Sequence, residues 1–551
     1  MNIKIKHFSS LVKLRSAQDF EGDEINNALT LAGESFSYQL AIISDSDAEL
    51  TFEVSPELKE FITLYYVTET VMDYPIYDFS ADEDYITRTP GTMPDLLVPT
   101  QPTNNYTRIT SNPVVLWVKV DFPKNYKSGI YRPCITVHAK SCANAEDLQD
   151  IKAQLPIEVL PINLPEQKTI FTQWFYTDCI ASIHNVEIYC EAHWKLIDKY
   201  MHLAAQLGIN MILTPAITPA LDTDVGSRRP NTQLVKITYE NNTYAFDFSL
   251  LKKWIDMAHK NGITYFEISH FFSQWGAKYS PNIYVYENGT VTNKFGWHVN
   301  ANDSRYKEFL EQFLPALLEF LTKENVIKNC YFHISDEPFM DHLESYGHAH
   351  SIVKPLLGEC RLMDAISNKE FYDTGLMDIP VTASDHIKPF LEDNIENQWV
   401  YYCSAQYKKV GNRFLSMPSY RNRILGLQMY KYNIKGFLHW GYNFYYSQLS
   451  RFEINPFLDS SSSRAFASGD AFSVYPAKDG VNPSLRAVVF KEALQDIEVC
   501  RTLESYIGRD AVIKMIDDAA GMDIDFEEYP RNNNFIPDLI NKMKEEIRKY
   551  L

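Results

Sequence analysis

Two adjacent carboxylates, Asp336 and Glu337, are the residues of this sequence whose types and spacing best suit chemistry. They follow an apolar, strand-like run that starts at Cys330, and Pro338 favours an extended backbone at Glu337. Neighbouring side chains within a strand point to opposite faces, but at a strand's end the backbone turns and both can reach one pocket. Two carboxyl groups in a partly dry cleft do not both ionise cheaply, so one becomes a proton donor near neutral pH. Paired carboxyl groups with such separate roles are the usual equipment for cleaving glycosidic bonds.

The pair also has a plainer interpretation, in which Asp336 only caps the helix predicted near residue 340. Aromatic and polar residues after the other predicted strands favour a site instead, because sugar C–H faces stack on rings and sugar hydroxyls bond to polar side chains. Trp440 stands between His439 and Gly441, neighbours that indicate a site rather than a core position. The candidate substrate-binding residues are Trp174, His270, Trp275, Asp364, Tyr401, Tyr402, Trp440, Tyr442 and Asn443.

Glu267, in the third predicted strand, fits two interpretations: a second catalytic carboxylate or a salt-bridged structural residue. The sequence has no HExxH motif and no Cys/His cluster, and His342 and His348 are six residues apart, off one helical face. We therefore predict no metal site. Dinucleotide-binding, P-loop and GxSxG motifs are also absent, so we predict no cofactor and no serine hydrolase.

Eight strand-like runs alternate with amphipathic helical segments after residue 166, which is the pattern of a closed (β/α)8 barrel. An open doubly wound sheet is the alternative. The runs lie near residues 170, 210, 265, 330, 362, 380, 399 and 436. Active sites of such barrels lie at the carboxyl ends of the strands, and the candidate residues follow these runs.

Three domains are predicted, and the fold class is α/β: a TIM-like barrel with an N-terminal antiparallel β-sandwich and C-terminal helices. Residues 1–165 contain short runs of β-branched and aromatic residues separated by turn residues, which is typical of a sandwich. Residues 166–483 are predicted to form the barrel. Residues 484–551 show apolar residues at helical spacing and are predicted to form helices packed on the barrel.

Composition excludes several functions. The 551 residues are 45% hydrophobic and 22% charged, which allows a large core. Acidic residues outnumber basic ones by 71 to 52, so a net charge of −19 disfavours nucleic acid and anionic membranes as partners. No apolar run approaches the roughly 20 residues of a membrane helix, and the N-terminus lacks a signal-like segment. The eight cysteines form no CxxC pair, so we expect free thiols in a cytoplasmic protein. Oligomeric state is left open, with a homo-oligomer among the alternatives.

Several motifs follow one another along the predicted barrel. The longer ones are Met211-Ile-Leu-Thr-Pro, Tyr265-Phe-Glu-Ile-Ser-His, Phe271-Phe-Ser-Gln-Trp-Gly, Phe332-His-Ile-Ser-Asp-Glu-Pro, Gly436-Phe-Leu-His-Trp-Gly-Tyr-Asn and Ser468-Gly-Asp-Ala-Phe-Ser-Val-Tyr-Pro. An Asn-Arg-Ile triplet at residue 422 and a Ser-Leu-Arg triplet at residue 484 complete the set. In this order the motifs resemble glycoside hydrolase family 123 over about residues 165–510.

The resemblance implies an exo-acting β-N-acetylgalactosaminidase that retains anomeric configuration by substrate-assisted catalysis, in which the sugar's 2-acetamido carbonyl attacks the anomeric carbon. The family's Asp-Glu pair matches Asp336 and Glu337. Asp336 would orient the acetamido N–H, and Glu337 would protonate the leaving oxygen and then activate water. The implied partner is an oligosaccharide or glycoconjugate with a terminal N-acetylhexosamine. We further expect Trp440, with Tyr401 or Tyr402, to wall in the acetamido methyl.

Two alternatives stay open from the sequence. One is a retaining glycosidase with a protein nucleophile, for which Glu267 opposite Glu337 is the candidate. The other is a carbohydrate-binding protein without hydrolytic activity.

Overall fold

The N-terminal region is built from three sheets. The computed structural model describes residues 1–100, 106–110 and 112–551. The strands are β1 (Ile3–Ser9), β2 (Ala28–Ala32), β3 (Ser35–Ser44), β4 (Ala48–Val54), β5 (Ile62–Met72), β6 (Gly91–Pro99), β7 (Tyr106–Ile109), β8 (Val114–Asp121), β9 (Gly129–Tyr131), β10 (Cys134–Ser141), β11 (Leu148–Gln154) and β12 (Ile157–Asn163). The sheet orders are β1-β3-β8-β5-β6, β11-β10-β4-β7 and β2-β12-β9.

The first two of these sheets share one apolar core. Leu40 and Leu116 from the first sheet are buried in the same cluster as Phe52 and Val137 from the second. Alternate residues of each strand supply this inner face, which is how two antiparallel sheets pack into a sandwich. The predicted N-terminal β-sandwich is thus confirmed.

The middle of the chain forms a closed barrel of eight parallel strands, in the order β13-β14-β17-β20-β21-β22-β23-β24. The barrel strands are β13 (Ile170–Gln173), β14 (Met211–Thr214), β17 (Tyr265–Ile268), β20 (Cys330–Phe332), β21 (Arg361–Ile366), β22 (Ile379–Ala383), β23 (Trp399–Tyr401) and β24 (Gly436–His439). A separate sheet, in the order β16-β15-β18-β19, is formed by β15 (Lys236–Glu240), β16 (Thr243–Asp247), β18 (Ile283–Glu287) and β19 (Thr290–Phe295).

Helices separate these strands along the chain. They are α1 (Thr177–Ile183), α2 (Glu191–Gln206), α3 (Ser249–Lys260), α4 (Ser304–Lys323), α5 (Leu343–Leu357), α6 (Glu370–Asp373), α7 (Lys388–Glu392) and α8 (Tyr420–Lys431). Helix α4 shows why they form: Asp303 accepts a hydrogen bond from the backbone N–H of Arg305, and Phe309, Phe313 and Leu317 bury one face.

The barrel closes where β13 meets β24, with Ile170 opposite Gly436 and Gln173 opposite His439. All four residues of β14 are buried, as expected of a parallel strand covered on both faces. The predicted (β/α)8 barrel is therefore confirmed, and the open doubly wound sheet is excluded.

The chain ends in β25 (Val474–Ala477), β26 (Gly480–Pro483) and three helices, α9 (Leu485–Ile507), α10 (Arg509–Ala520) and α11 (Phe535–Arg548). No helix in the described ranges has the length and apolarity needed to cross a bilayer.

The chain divides into two compact units. One comprises residues 1–167, 407–431 and 482–551, and the other comprises residues 168–406 and 432–481. In the first unit α8 packs closely on α9, because a Cβ at Gly426 would lie 2.2 Å from the carbonyl oxygen of Ala493. All eight barrel strands belong to the second unit, as do all the residues of the site described next.

Candidate active site

Asp336 and Glu337 lie just after β20, at the carboxyl ends of the barrel strands, and both side chains are partly exposed. Although β20 is short, the backbone after it stays paired with the segment after β17. Phe272 N–H donates to the carbonyl oxygen of Ile334 (2.9 Å), and Trp275 N–H donates to that of Asp336 (2.9 Å). Both acids are thereby held at the barrel rim.

Glu337 is fixed by its backbone and by a tyrosine. Its φ of 41° is in the left-handed region and not in the extended region that Pro338 favours, so the expectation of an extended Glu337 was wrong. A non-glycine residue adopts this conformation only when the surrounding structure requires it. The hydroxyl of Tyr401, the last residue of β23, donates a 2.7 Å hydrogen bond to Oε1 of Glu337. Such strain at a titratable group is a common feature of active sites.

The environment of the two acids makes them retain protons. Burial, and then the charge of Glu337, raise the pKa of Asp336 well above its usual range. Burial also raises the pKa of Glu337, although the hydrogen bond from Tyr401 opposes that rise. Two neighbouring carboxyls in this setting titrate as a pair, so one holds a proton at a pH where exposed carboxyls are ionised.

Beneath the acids, His333 is clamped between two carboxylates. Its Nδ1 lies 2.8 Å from Oδ1 of Asp364, and its Nε2 lies 2.9 Å from Oε1 of Glu267. Burial alone would lower the pKa of His333, but the hydrogen bonds to Asp364 and Glu267, together with the negative charges of those two groups, outweigh burial and raise that pKa to about 10. His333 is thus an imidazolium at neutral pH, and its charge lowers the pKa of Asp336.

Asp364 also holds the backbone that leads to the acids. Its Oδ2 accepts hydrogen bonds from the backbone N–H groups of Ile334 (3.1 Å) and Ser335 (3.3 Å), and from the hydroxyl of Tyr346 (2.5 Å). The carboxylate is fully buried. Asp364, which we predicted to bind substrate, lies below the rim and positions the segment before Asp336.

Glu267 is saturated with donors. Oε2 accepts from Thr172 Oγ1 (2.7 Å), and Oε1 accepts from the indole N–H of Trp174 (2.6 Å) and from His333. The side chain has no exposed surface. These bonds favour the structural interpretation of Glu267 over the catalytic one.

His270, His333 and Asp364 have ligand atoms within 4.8 Å of one another, a spacing that could hold a metal ion. Both ring nitrogens of His333 face carboxylate oxygens, however, and a protonated imidazole has no lone pair for a metal. His270 stacks on His333 with ring centroids 4.3 Å apart. The hydrogen bonds therefore favour a charged histidine over a metal ligand at this position.

Trp440 forms an aromatic wall at the rim, and its ring is partly exposed. Its indole N–H donates to Oδ2 of Asp470 (2.9 Å), and its carbonyl oxygen accepts from the hydroxyl of Tyr176 (2.8 Å). Phe444 and Phe466 contact its edge, with centroids 5.1 and 4.8 Å away. These contacts fix the indole plane, as a stacking platform for a sugar requires.

The predicted residues separate into a rim and a supporting layer. Asp336, Glu337, Tyr401, Trp440 and Trp275 lie at or directly against the rim; Trp275 is 40% exposed. The remaining predicted residues, all at least 97% buried, are Trp174, His270, Asp364, Tyr402, Tyr442 and Asn443.

Tyr442 and Asn443 are not brought to the site surface. The Tyr442 hydroxyl donates to the carbonyl oxygen of Tyr200 (3.0 Å), and its ring stacks on Phe175. The Asn443 amide bonds to the backbone N–H and carbonyl of Tyr176 (2.9 Å each). Both side chains therefore anchor the loop after β24 to neighbouring segments and do not contact the site surface.

Two residues that organise the site were not selected from the sequence. His333 precedes the acids by three residues, and Asp470 accepts hydrogen bonds from Ser404 as well as from Trp440. Both lie within motifs that carried the family resemblance, which is the one sequence signal that pointed to them.

Comparisons with known proteins relate the chain to one family of glycoside hydrolases. The model of the glycoside hydrolase 123 catalytic domain matches residues 174–503. A family 123 glycoside hydrolase from Clostridium perfringens, studied for glycolipid glycan hydrolysis, is similar in structure. Its TM-score is 0.73 at 16% identity, covering 100% of this chain and 98% of that one.

A β-glucuronidase from Ruminococcus gnavus in complex with D-glucaro 1,5-lactone matches with a TM-score of 0.31 at 9% identity, over 83% of this chain and 66% of that one. A score this low carries no functional argument. No curated protein sequence matches this chain significantly. Because the catalytic-domain model spans well over half of the 551 residues, the chain belongs to glycoside hydrolase family 123.

Proposed function

We propose that this glycoside hydrolase is a retaining exo-β-N-acetylgalactosaminidase, which removes terminal β-linked N-acetylgalactosamine by substrate-assisted catalysis. The observation that carries the proposal is the adjacency of Asp336 and Glu337 at one rim position, in surroundings that raise both pKa values. The acetamido group and the glycosidic oxygen lie on neighbouring ring carbons, so adjacent carboxyls can serve both.

In the proposed reaction Asp336 accepts a hydrogen bond from the acetamido N–H and stabilises the positive charge that develops on that group. Burial and the neighbouring charges favour the neutral form of Asp336 in the unliganded site, the His333 imidazolium opposes them, and the bound acetamido N–H adds a donor that favours the ionised form. The shared proton then resides on Glu337, which donates it to the leaving oxygen as the 2-acetamido carbonyl oxygen bonds to the anomeric carbon. Glu337 next takes a proton from water, which attacks that carbon and opens the oxazolinium ring. Two inversions give net retention.

The aromatic contacts support an acetamido sugar. Trp440, held by Asp470, offers a fixed partly exposed ring, and Tyr401 closes over Glu337. A ring wall around an acetamido methyl excludes water from the reacting carbonyl, which would otherwise be solvated and less nucleophilic. The similar Clostridium perfringens enzyme, studied with glycolipid glycans, supports a glycoconjugate as the natural partner.

A protein nucleophile at Glu267 is disfavoured. Three donors occupy its oxygens, so Glu267 cannot bond to a sugar carbon without breaking the bonds from Thr172, Trp174 and His333. No specific observation favours a binding protein without activity.

The test is a panel of aryl glycosides. We expect release of nitrophenol from the β-N-acetylgalactosaminide, little from the β-galactoside, inhibition by the thiazoline analogue of the acetamido sugar, and a loss of about 10²–10⁴-fold with Glu337→Gln. Turnover of the non-acetamido galactoside without thiazoline inhibition would contradict the mechanism, and sugar binding without turnover would favour the binding-protein alternative.

A further inference from the structure

A second polar pair lies beside the acids, formed by Asp222 on the loop after β14 and Gln274 on the loop after β17. The Oε1 atom of Gln274 accepts a hydrogen bond from the backbone N–H of Asp222. Trp275, the next residue, donates its backbone N–H to the carbonyl oxygen of Asp336. The two bonds form a short chain of contacts from Asp336 through Gln274 to Asp222.

Gln274 carries an unused donor. Its side-chain Nε2 is buried and has no hydrogen-bond partner among the described residues, although the residue is only 5% exposed. Reversing the amide would place an N–H₂ group against the N–H of Asp222, so the orientation is fixed by the hydrogen bond. A buried donor without a partner costs roughly 1–3 kcal/mol, a cost that a ligand oxygen would remove.

Asp222 carries an unused acceptor. Within the described ranges its Oδ2 accepts from Leu449 N–H (3.0 Å), its carbonyl oxygen accepts from Ser450 Oγ (2.6 Å), and its Oδ1 has no bond. Asp222, Trp275, Leu449 and Ser450 all have positive φ values, 45°, 56°, 57° and 51°. Non-glycine residues in this conformation are held there by the surrounding structure, so the backbone around Asp222 and Gln274 is fixed.

The pair is joined to the catalytic acids by the loop after β17, on which Gln274 and Trp275 are consecutive residues. Burial raises the pKa of the Tyr176 hydroxyl well above its usual range, and the charges of both Asp222 and Asp336 add to that rise. The charges of both carboxyls thus reach one phenol. Along the chain of contacts the order is Glu337, Asp336, Gln274 and Asp222.

That order matches the order of substituents around a pyranose. Within the proposed function, Glu337 serves the oxygen at C1 and Asp336 the acetamido group at C2, so the next two groups meet C3 and C4. We propose that Gln274 donates to the 3-hydroxyl and Asp222 accepts from the 4-hydroxyl, which makes Asp222 the residue that reads the configuration at C4. This assignment rests on the proposed function, and it makes these two side chains the determinants of sugar specificity.

The charge state of Asp222 is consistent with this role. Burial raises its pKa to about 6, with Arg229 and Arg451 lowering it and Asp224 raising it. Asp222 is thus ionised at neutral pH and accepts from a hydroxyl, while it repels a sulfated or carboxylated sugar at that edge.

The test measures binding by the full chain carrying Glu337→Gln, which keeps substrate intact. The ligands are methyl β-glycosides of 2-acetamido-2-deoxygalactose and its 3-deoxy, 4-deoxy and 6-deoxy forms, titrated calorimetrically. We expect Asp222→Asn to weaken binding of the parent sugar about 10- to 100-fold, yet to leave the 4-deoxy sugar unaffected. Gln274→Leu should likewise weaken binding of the parent sugar and leave binding of the 3-deoxy sugar unaffected. Each variant should bind the 6-deoxy sugar with the same loss of affinity as the parent sugar.

Asp224→Asn is the matched control, because Asp224 is a nearby carboxylate already paired with Arg451 (2.6 Å), and its loss should leave all four affinities unchanged. Equal losses on every sugar with Asp222→Asn, or no loss on any, would overturn the inference while leaving the proposed function standing. Failure of the parent sugar to bind, with no hydrolysis by the unaltered chain, would overturn both.

Discussion

The hydroxyl of Tyr401 donates a 2.7 Å hydrogen bond to Oε1 of Glu337, joining the end of β23 to the turn after β20. This bond stabilises the ionised form of Glu337, and burial of the carboxyl has the opposite effect. The balance between the two decides the pH range in which Glu337 can act as an acid.

Removing that hydroxyl should move the pH profile. In Tyr401→Phe the group that lowers the pKa of Glu337 is gone, so that pKa rises further. Because the acid must be protonated to act, the basic limb of the kcat/KM profile should move to higher pH, while kcat falls roughly tenfold. Tyr284→Phe, in the separate sheet β16-β15-β18-β19, is the control. A lower rate with an unmoved basic limb would mean that Tyr401 acts on the substrate alone.

Asp336→Asn should lose activity and gain stability. The carboxylate that stabilises the acetamido charge is replaced by a neutral amide, so we expect a loss of about 10²–10³-fold in kcat. The folded-state pKa of Asp336 is raised, so the folded chain binds more protons than the unfolded chain and its stability falls as pH rises through this range.

The amide removes that penalty. Urea unfolding should show Asp336→Asn more stable by roughly 1 kcal/mol near neutral pH, with a smaller gain in acid, below the usual carboxyl pKa of about 4. The helices that follow begin after Phe339 and His342, so Asp336 caps neither of them. A variant with native activity would show that Asp336 takes no part in the reaction, and equal stability at both pH values would contradict the buried-charge interpretation.

Replacing His333 should affect the opposite limb. Its charge lowers the pKa of Asp336, so in His333→Gln that pKa rises and the acid limb of the kcat/KM profile moves to higher pH. The change also leaves Glu267 and Asp364 without their shared cation, which should lower the free energy of unfolding by about 3–5 kcal/mol.

Glu267→Gln keeps a hydrogen-bond acceptor for His333 and serves as the comparison in both measurements. If His333→Gln unfolds under assay conditions, the pH profile of Glu267→Gln decides the question. Because the charge of Glu267 itself raises the pKa of Asp336, and Asp364 still holds the His333 imidazolium, the acid limb of Glu267→Gln should move the other way, to lower pH. An acid limb unmoved in both variants would reduce His333 to a packing role.

Trp440 should act mainly on substrate binding. We expect Trp440→Ala to raise KM roughly tenfold, equivalent to about 1.4 kcal/mol, with a smaller effect on kcat, and Trp440→Phe to lie between. Steady-state kinetics on the aryl acetamido glycoside measure both constants. A drop in kcat at unchanged KM would place the indole against the transition state only.

The barrel was predictable because its signals are local. Parallel strands covered on both faces are short apolar runs, as in Met211–Thr214, and the intervening helices carry amphipathic patterns, as in Ser304–Lys323. The predicted barrel strands therefore agree with the structure to within a few residues. The acids were predictable because a charged pair directly after an apolar run is conspicuous.

The depth of each residue was not predictable. Alternation tells which face of a strand a side chain takes, but not whether it ends at the rim or one layer below. Asp364 and Trp174 lie in the buried layer below the rim, where they hydrogen-bond to His333 and Glu267. Asp222 was missed because its loop carries no strand or motif signal, and only the tertiary contact with Gln274 brings it to the rim.

The most direct test of the central claim uses aryl β-N-acetylgalactosaminides whose acetamido methyl carries none, one, two or three fluorines. Fluorine withdraws electrons from the carbonyl oxygen, so if that oxygen attacks the anomeric carbon, kcat should fall steeply with each substitution. Asp336 and Glu337 then serve a nucleophile that belongs to the substrate. A rate independent of fluorine content, at saturating substrate, would show that the acetamido group does not react and would contradict the account.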